Sequence, residues 1–543
     1  MASPPHVLIV GGGPVGLVAA LALALNGVSF RIVDKLQEHA VGQRGAGIAP
    51  RTLEIYHFLG VLKEIKSVGG PLVPFQEYDV ECRPTREHFL APQQPATPET
   101  PEPNHWMLGQ DSNCTVLRKH LEEQGIEVEL GTELVNFEQD EDGVSTTLNK
   151  DGKEERLRVK FLIGADGARG VTRKQLGASF LGASAQDIRL VIGDIHLTGV
   201  DRQHWHRWMD VQKNNLMLRP AWENPDMFFI VAGGPSLDLR KGVEDQEYLT
   251  EWIRDLTKNK SITIGRIKTL AEWRLNVRMV DEFRVGRVVL VGDAAHVHTP
   301  AGGQGLNSGV MDAMNVCWKL ALICKNYAPE SLLDSFPEER MPVIEEMLQM
   351  TTGLFMNVMK RQDKSNVISW QNPSSLRQLG VHYRWSSIVR DELKDVQELA
   401  EGTNIEPPST YGTGISTRVH AGDRAPDAPG LIDAQSGRIT RLFDIYSPTR
   451  HTVVVFGSDL AQAAQAVAAK NPQGMIRTIV VQEDAGETDV EGTVFIDGQG
   501  YAHRVYGVAA GVKILVVRPD GVVGGILKGS DGLSVYFSRI FSG

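Results

Sequence analysis

Short, unbroken apolar runs recur along the chain, and small residues with helical stretches follow them. Val7 to Val10, the apolar run inside Lys160 to Leu176, and Val288 to Val291 read as strands of a parallel sheet buried on both faces. An Ala/Leu-rich helix follows the first run and stops near Asn26-Gly27, where glycine suits a left-handed end. Ser29 to Val33 is the next strand. An amphipathic helix begins near Pro50, and another covers Asn113 to Glu123, with strands at Glu127 to Leu130 and Val144 to Leu148 behind it. Between Pro84 and Pro103, proline recurs at 92, 95, 98 and 101 with few large apolar residues, which predicts a surface excursion. From Ile188 to Gly265 the rhythm becomes strand-like at Leu190 to Leu197, Asn215 to Leu218 and Met227 to Val231. There, Asn215, Met217 and Arg219 fall on one face. Methionines and leucines at helical spacing run from Met311 to about Leu399, including Met341 to Met359. After a polar linker with Pro407-Pro408, a second βα rhythm starts near Gly422.

This order predicts an α/β chain of several units. Residues 1–187 and 267–345 form a nucleotide-binding domain, and 188–266 an inserted β-sheet domain whose inner face suits an organic substrate. Residues 346–402 form a helical connection, and 403–543 a separate small α/β domain. A length of 543 residues agrees with more than one domain. The net charge of −11 argues against nucleic acid or an anionic membrane surface as partner. The four cysteines form no Cys-x-x-Cys pair, so free thiols and no metal site are expected. The first residues hold no basic, apolar leader, and the longest apolar run, Val15 to Leu25, is too short to span a bilayer. A soluble cytoplasmic protein is the expectation.

Three stretches carry chemistry. Gly11-Gly12-Gly13-Pro14-Val15-Gly16 follows the first strand and opens the first helix, and Asp34 lies 18 positions after Gly16. This is the dinucleotide pattern: Gly11 for the tight turn, Gly13 for close approach of a pyrophosphate, Gly16 for helix on strand, Asp34 for a ribose hydroxyl. Asp166-Gly167 and Asp293 each end a strand, where ligands of open α/β sheets gather. Asp166-Gly167 reads also as a common turn pair and Asp293 as a helix cap, and the loop Pro300 to Asn307 favours the ligand reading of Asp293. Gly302, Gly303 and Gly305 lead into a helix start, whose amides favour an anion or a ring that becomes anionic. Arg44, in a glycine-flanked loop, reads as a phosphate ligand or as a surface charge. His204 and His206 flank Trp205 and read as loop histidines, with an acid/base role as the alternative.

GGGPVG, GADGAR and GDAAHVHTPAGGQGLNSG, in that order, resemble the class A flavoprotein monooxygenases, the FAD-dependent aromatic hydroxylases. The resemblance is strong over about residues 5–345. The tail resembles the thioredoxin-like C-terminal domain of the phenol-hydroxylase branch. It implies a Rossmann-like FAD-binding domain with an inserted β-sheet substrate domain and a thioredoxin-like third domain. It also implies that Gly11, Gly13, Pro14, Val15 and Gly16 hold the FAD pyrophosphate, with Asp34 and its neighbour Lys35 at the adenosine ribose. Arg44, Gln110 and Arg118 match positions near the phosphates and ribityl chain. Asp166 and Gly167 match a motif linked to FAD and the pyridine nucleotide. Asp293 would hold the ribityl chain, and Gly303, Gly305, Leu306 and Asn307 would face the isoalloxazine. Pro300 matches the proline whose carbonyl points at the reaction site.

The implied reaction is hydroxylation of a phenolic ring, of phenol or hydroxybenzoate type with or without decarboxylation. It uses NAD(P)H as transient co-substrate and O2, through a C4a-hydroperoxyflavin. Tyr56, His204, His206, Arg219 and Arg278 are the candidates for handling the substrate's proton and charge. Alternatives are a larger polyketide aromatic as substrate, an FAD oxidoreductase that inserts no oxygen, and a flavin-binding sensor. A homodimer is expected. Cys114 departs from the family pattern, where glutamate is frequent.

Overall fold

A computed structural model describes residues 4–299, 301–360, 374–393, 409–412, 418–484 and 492–542. Pro300, the end of the helical stretch towards Leu399, and Pro407-Pro408 lie outside them. The cofactor-side sheet has five strands in the order Arg284–Val285, Val288–Leu290, Phe161–Gly164, Val7–Val10 and Phe30–Val33. The last four are parallel, with Val7 opposite both Phe161 and Phe30, and Leu162 opposite Val288. All four residues of Val7–Val10 and of Phe161–Gly164 are buried, as their apolar sequences require. Pro14–Leu25 and Gly305–Cys324 pack together beside this sheet and share its core. The helix predicted over Asn113 to Glu123 starts earlier, at Gln110, and ends at Glu122. Glu127 to Leu130 forms a single bridge, Val33 to Glu129, and the strand begins at Thr132.

A second sheet has eight strands in the order His296–Val297, Thr263–Val280, Phe180–Thr198, Met227–Gly233, Asn215–Pro220, Trp205–Met209, Phe75–Tyr78 and Pro84–His88. Phe180–Thr198 and Thr263–Val280 are long enough to run through the expected boundaries at 188 and 267. The proline-rich stretch begins as an edge strand, since Pro84–His88 pairs with Phe75–Tyr78. Proline is tolerated there because it starts an edge strand. One face of this sheet carries Val191, Ile195, Trp208, Leu216, Leu218 and Phe228 under the helix Gln246–Thr257. The opposite face, with Trp205, Arg219 and Phe229, is left for the cofactor side.

The C-terminal sheet centres on the parallel strands His451–Phe456, Ile476–Gln482 and Thr493–Asp497. Ile514–Val517 and Val523–Leu527 extend it in antiparallel sense. No helix of the described residues is long and apolar enough to cross a membrane.

Candidate functional site

The carboxyl ends of the five-stranded sheet open into a cleft of about 480 Å³. It gathers Gly11, Gly13, Pro14, Val15, Asp34, Lys35, Arg44, Gln110, Arg118, Asp166, Gly167, Asp293, Gly305 and Leu306, which lie far apart in sequence. Gly11 has φ +112°, and a Cβ there would strike the Ala165 carbonyl. A Cβ on Gly16 would strike the Gly11 carbonyl, so Gly16 stands behind the cleft, where helix meets strand. A Cβ on Gly13 meets nothing within 4 Å and points into open space. Gly11 thus serves a tight turn and Gly16 close packing, while Gly13 leaves space open beside the cleft.

Asp34 Oδ2 accepts the Gly12 amide at 2.8 Å and Oδ1 the Leu36 amide at 2.9 Å, which fixes the carboxylate at the rim. Asp166 Oδ2 accepts the Thr172 amide and hydroxyl at 2.9 and 3.0 Å, capping the helix Val171–Leu176. Its Oδ1 is buried without a partner, so one oxygen serves the turn and the other is left over at the cleft. Asp293 faces the cleft, but the surrounding protein holds its pKa above the ordinary value, opposed by His296 and Arg44. Arg44 sits at φ +44°, a strained conformation outside glycine. Among the described residues, no carboxylate lies within ion-pair distance of Arg44 or Arg118. Unpaired cations, an orphan Asp166 oxygen and a cleared Gly13 approach fit a dinucleotide with its pyrophosphate. Cys114 lines the same cleft, and burial pushes its thiol up to about 12, so it is neutral there.

The glycine loop enters the helix Gly305–Cys324 with Gly302 at φ +79° and Gly303 at +62°. Asn307 does not offer its side chain to the cleft. Its Oδ1 accepts the Ala49 amide at 2.8 Å, and its Nδ2 donates to the Gly47 and Gly303 carbonyls at 2.9 and 2.6 Å. Gln304 donates to the Leu376 carbonyl at 3.0 Å and accepts from Gln378 at 2.8 Å. The connection segment thus roofs this loop.

The substrate-side candidates separate. Arg219 is 4 % exposed, and its Nη2 donates to Gln43 Oε1 at 2.8 Å. Its guanidinium stands 5.7 Å from the Trp205 ring centre and 5.3 Å from that of Phe229. Burial lowers its pKa to about 10, against partial compensation by Glu223 and Asp194, so it stays charged at neutral pH. No carboxylate among the described residues pairs with it. Gln43 is 1 % exposed, and its Nε2 has no partner. Its amide donates to Asp194 Oδ2 at 2.8 Å, and its carbonyl accepts from Gln110 at 3.0 Å. Gln43 precedes Arg44, which places the Arg219 head beside the cofactor cleft.

His206 is turned away: alternation puts it on the face of Trp208, with ring centres 5.3 Å apart. Both of its nitrogens are engaged, 2.9 Å from the Tyr78 hydroxyl and 2.9 Å from the Asp201 carbonyl. It is therefore a buried strand residue, which corrects the loop reading. His204 stands 2.9 Å from Asp201 on the outer edge. Asp201, His204 and His206 bring donor atoms within 4.8 Å of one another, but the engaged His206 makes this a hydrogen-bonded edge. Tyr56 is fully buried, and its hydroxyl is used by Asn113, 3.1 Å away, so it does not reach the site. Arg278 donates to the Phe180 carbonyl and to Asn276 within the sheet. Gln43 and Asp194 escaped sequence reading because their roles appear only when a loop folds onto a sheet.

The family described as "FAD binding domain" matches residues 5–351. A flavin-dependent monooxygenase of Mycobacteroides abscessus is 32% identical over 541 residues, 98% of this chain and 99% of the relative. Pentachlorophenol 4-monooxygenase of Sphingobium chlorophenolicum is 28% identical over 95% of this chain and 93% of its own length. 6-Methylpretetramide 4-monooxygenase of Streptomyces rimosus is 28% identical over 96% and 90%. The fold matches the crystal structure of the flavin-dependent monooxygenase PieE with FAD and substrate, with a TM-score of 0.82 at 22% identity over 99% of both chains.

Proposed function

This chain belongs to the FAD-binding-domain family and is an FAD-dependent aromatic monooxygenase, and we propose that its substrate is a phenolic ring bearing negative charge. The carrying observation is Arg219, a buried cation with one neutral hydrogen bond and aromatic rings around it. Such a charge is costly to bury unpaired. A phenolate or ring carboxylate supplies the missing partner, and the Gln43 Nε2 supplies a second donor beside it. Holding the oxygen as an anion makes the ring electron-rich, as electrophilic hydroxylation requires.

Gly11 to Gly16 would cradle the pyrophosphate, with Arg44 and Arg118 as its counter-charges and Asp34 at the ribose. Asp293 would meet the ribityl chain. When bound, FAD supplies electron transfer from NAD(P)H and activation of O2. The amides at the start of Gly305–Cys324 favour negative charge on the ring that faces them. Trp205 and Phe229, the rings beside Arg219, would keep water from a substrate held there.

A larger polyketide aromatic is the second reading, favoured by the match to 6-methylpretetramide 4-monooxygenase along nearly the whole chain. A homodimer in the cytoplasm belongs to the same reading. FAD-loaded protein should oxidise NAD(P)H faster with anionic phenols than with their O-methyl ethers, and faster with hydroxybenzoates than with uncharged methoxybenzoate methyl esters. Equal stimulation by both members of each pair would overturn the assignment of Arg219. Stimulation by polycyclic phenols alone would select the second reading.

A further inference from the structure

We propose that Arg518, after the strand Ile514–Val517, is a positioning residue for the flavin, acting through two neighbouring helices on Gly305–Cys324, whose N-terminal end lines the cofactor cleft. The proposal rests on the assignment of the cleft to FAD and not on the substrate.

One route runs through the helix Ser335–Lys360. Arg518 grips Glu339 with both prongs, Nη1 to Oε1 at 2.6 Å and Nη2 to Oε2 at 3.0 Å. Glu339 also accepts from Asn315 and from Lys319 Nζ at 3.0 Å, both on Gly305–Cys324. The next residue, Arg340, donates Nε to Asp312 Oδ1 at 2.7 Å. Asp312 Oδ2 lies 2.8 Å from His296 Nε2 and accepts the Gly292 amide at 3.0 Å. Gly292 is the residue before Asp293, so this chain of contacts ends on the turn that carries the cleft carboxylate.

A second route runs through Pro50–Phe58. Arg518 Nε donates to Asp520 Oδ1 at 3.0 Å, and the Asp520 and Gly521 carbonyls accept Arg51 Nη2 at 2.8 and 3.1 Å. Arg51 starts the helix whose Ala49 amide is held by Asn307. The first route also touches the start of Gly305–Cys324, where Arg340 Nη2 donates to the Ser308 carbonyl at 3.3 Å, one residue from the Asn307 that ends the second.

Asp312, Glu339 and Asp520 face Arg340, Arg518 and Lys319, and none is more than 4 % exposed. Buried ion pairs add little net stability over apolar packing of the same volume. Their directional, two-pronged bonds do fix orientation, which packing alone does not. A dinucleotide site needs that, because its amides must stay aimed at one place.

Two full-length variants test this, read by FAD dissociation constant and by the visible spectrum of the bound flavin. Arg518→Met with Glu339→Gln removes one charge of each sign, so the remaining buried charges still balance. Arg518→Lys keeps the charge but loses the two-pronged grip. FAD should bind roughly tenfold more weakly to the double variant and roughly threefold more weakly to Arg518→Lys, with shifted spectra in both. Folding is checked by circular dichroism. A folded variant with the parental constant and spectrum overturns the proposal. A double variant that does not fold leaves the decision to Arg518→Lys, with the same two outcomes. A parent protein that binds no FAD would instead overturn the cofactor assignment.

Discussion

Arg219 and Gln43 carry the proposed contact to an anionic substrate, joined by a 2.8 Å hydrogen bond between a strand and a loop. Replacing Arg219 by Gln removes the charge while keeping a donor near Gln43. A hydrogen bond to a charged group contributes about 1.5–3 kcal/mol, so kcat/KM for an anionic phenol should fall by roughly 10- to 100-fold. FAD affinity should not change, because Arg219 does not line the cofactor cleft. Steady-state kinetics beside a flavin titration checks this, and a parallel loss of FAD would contradict it. Alternation already placed Arg219 on a face with Asn215 and Met217. It did not show which face, and the same rule carried His206 to the covered side with Trp208. That choice depends on where Gln246–Thr257 packs, which no local pattern encodes.

The glycine turn between Val7–Val10 and Pro14–Leu25 predicts two opposite outcomes. Gly13→Ala adds a methyl where nothing stands within 4 Å, so the apoprotein should melt as before. The same methyl occupies the pyrophosphate approach and should weaken FAD by about tenfold or more, about 1.4 kcal/mol. Gly16→Ala drives a methyl into the Gly11 carbonyl and should destabilise the apoprotein itself by about 1–3 kcal/mol. Melting curves with and without FAD separate the two. This element was legible because a ladder of apolar strand, spaced glycines and following acid is local. The eight-stranded sheet was less so: Pro84–His88 joins it from a stretch whose prolines predict a loop. Pairing with Phe75–Tyr78 outweighed that preference, since only one edge of the strand needs its amides. The roof of Gln378 over Gln304 was illegible for a related reason, being a contact between residues 74 positions apart.

At the scale of the whole molecule, the C-terminal strands meet the helices Gly305–Cys324 and Ser335–Lys360 through buried charges and a neutral histidine. His451 is 1 % exposed among Trp318, Tyr536, Phe537 and Phe541. Burial first, and Arg518 second, lower its pKa to about 3. The unfolded chain takes up this proton near pH 6.5, whereas the folded chain resists it until about 3. Between those values the unfolded state holds more protons, so stability falls as pH falls. For one fully buried imidazole the loss is on the order of 4 kcal/mol by pH 3. Denaturant unfolding at pH 7 and pH 5 should show the decline, and His451→Phe should reduce it. An unchanged pH slope in that variant would contradict the account.

The most direct single measurement is product mass from FAD-loaded protein turning over NAD(P)H and a panel of anionic phenols under ¹⁸O2. The account predicts an aromatic product that gains one labelled oxygen, formed only with the phenol present. NAD(P)H consumption at the same rate without any phenol, or with it but yielding no oxygenated ring, would contradict it.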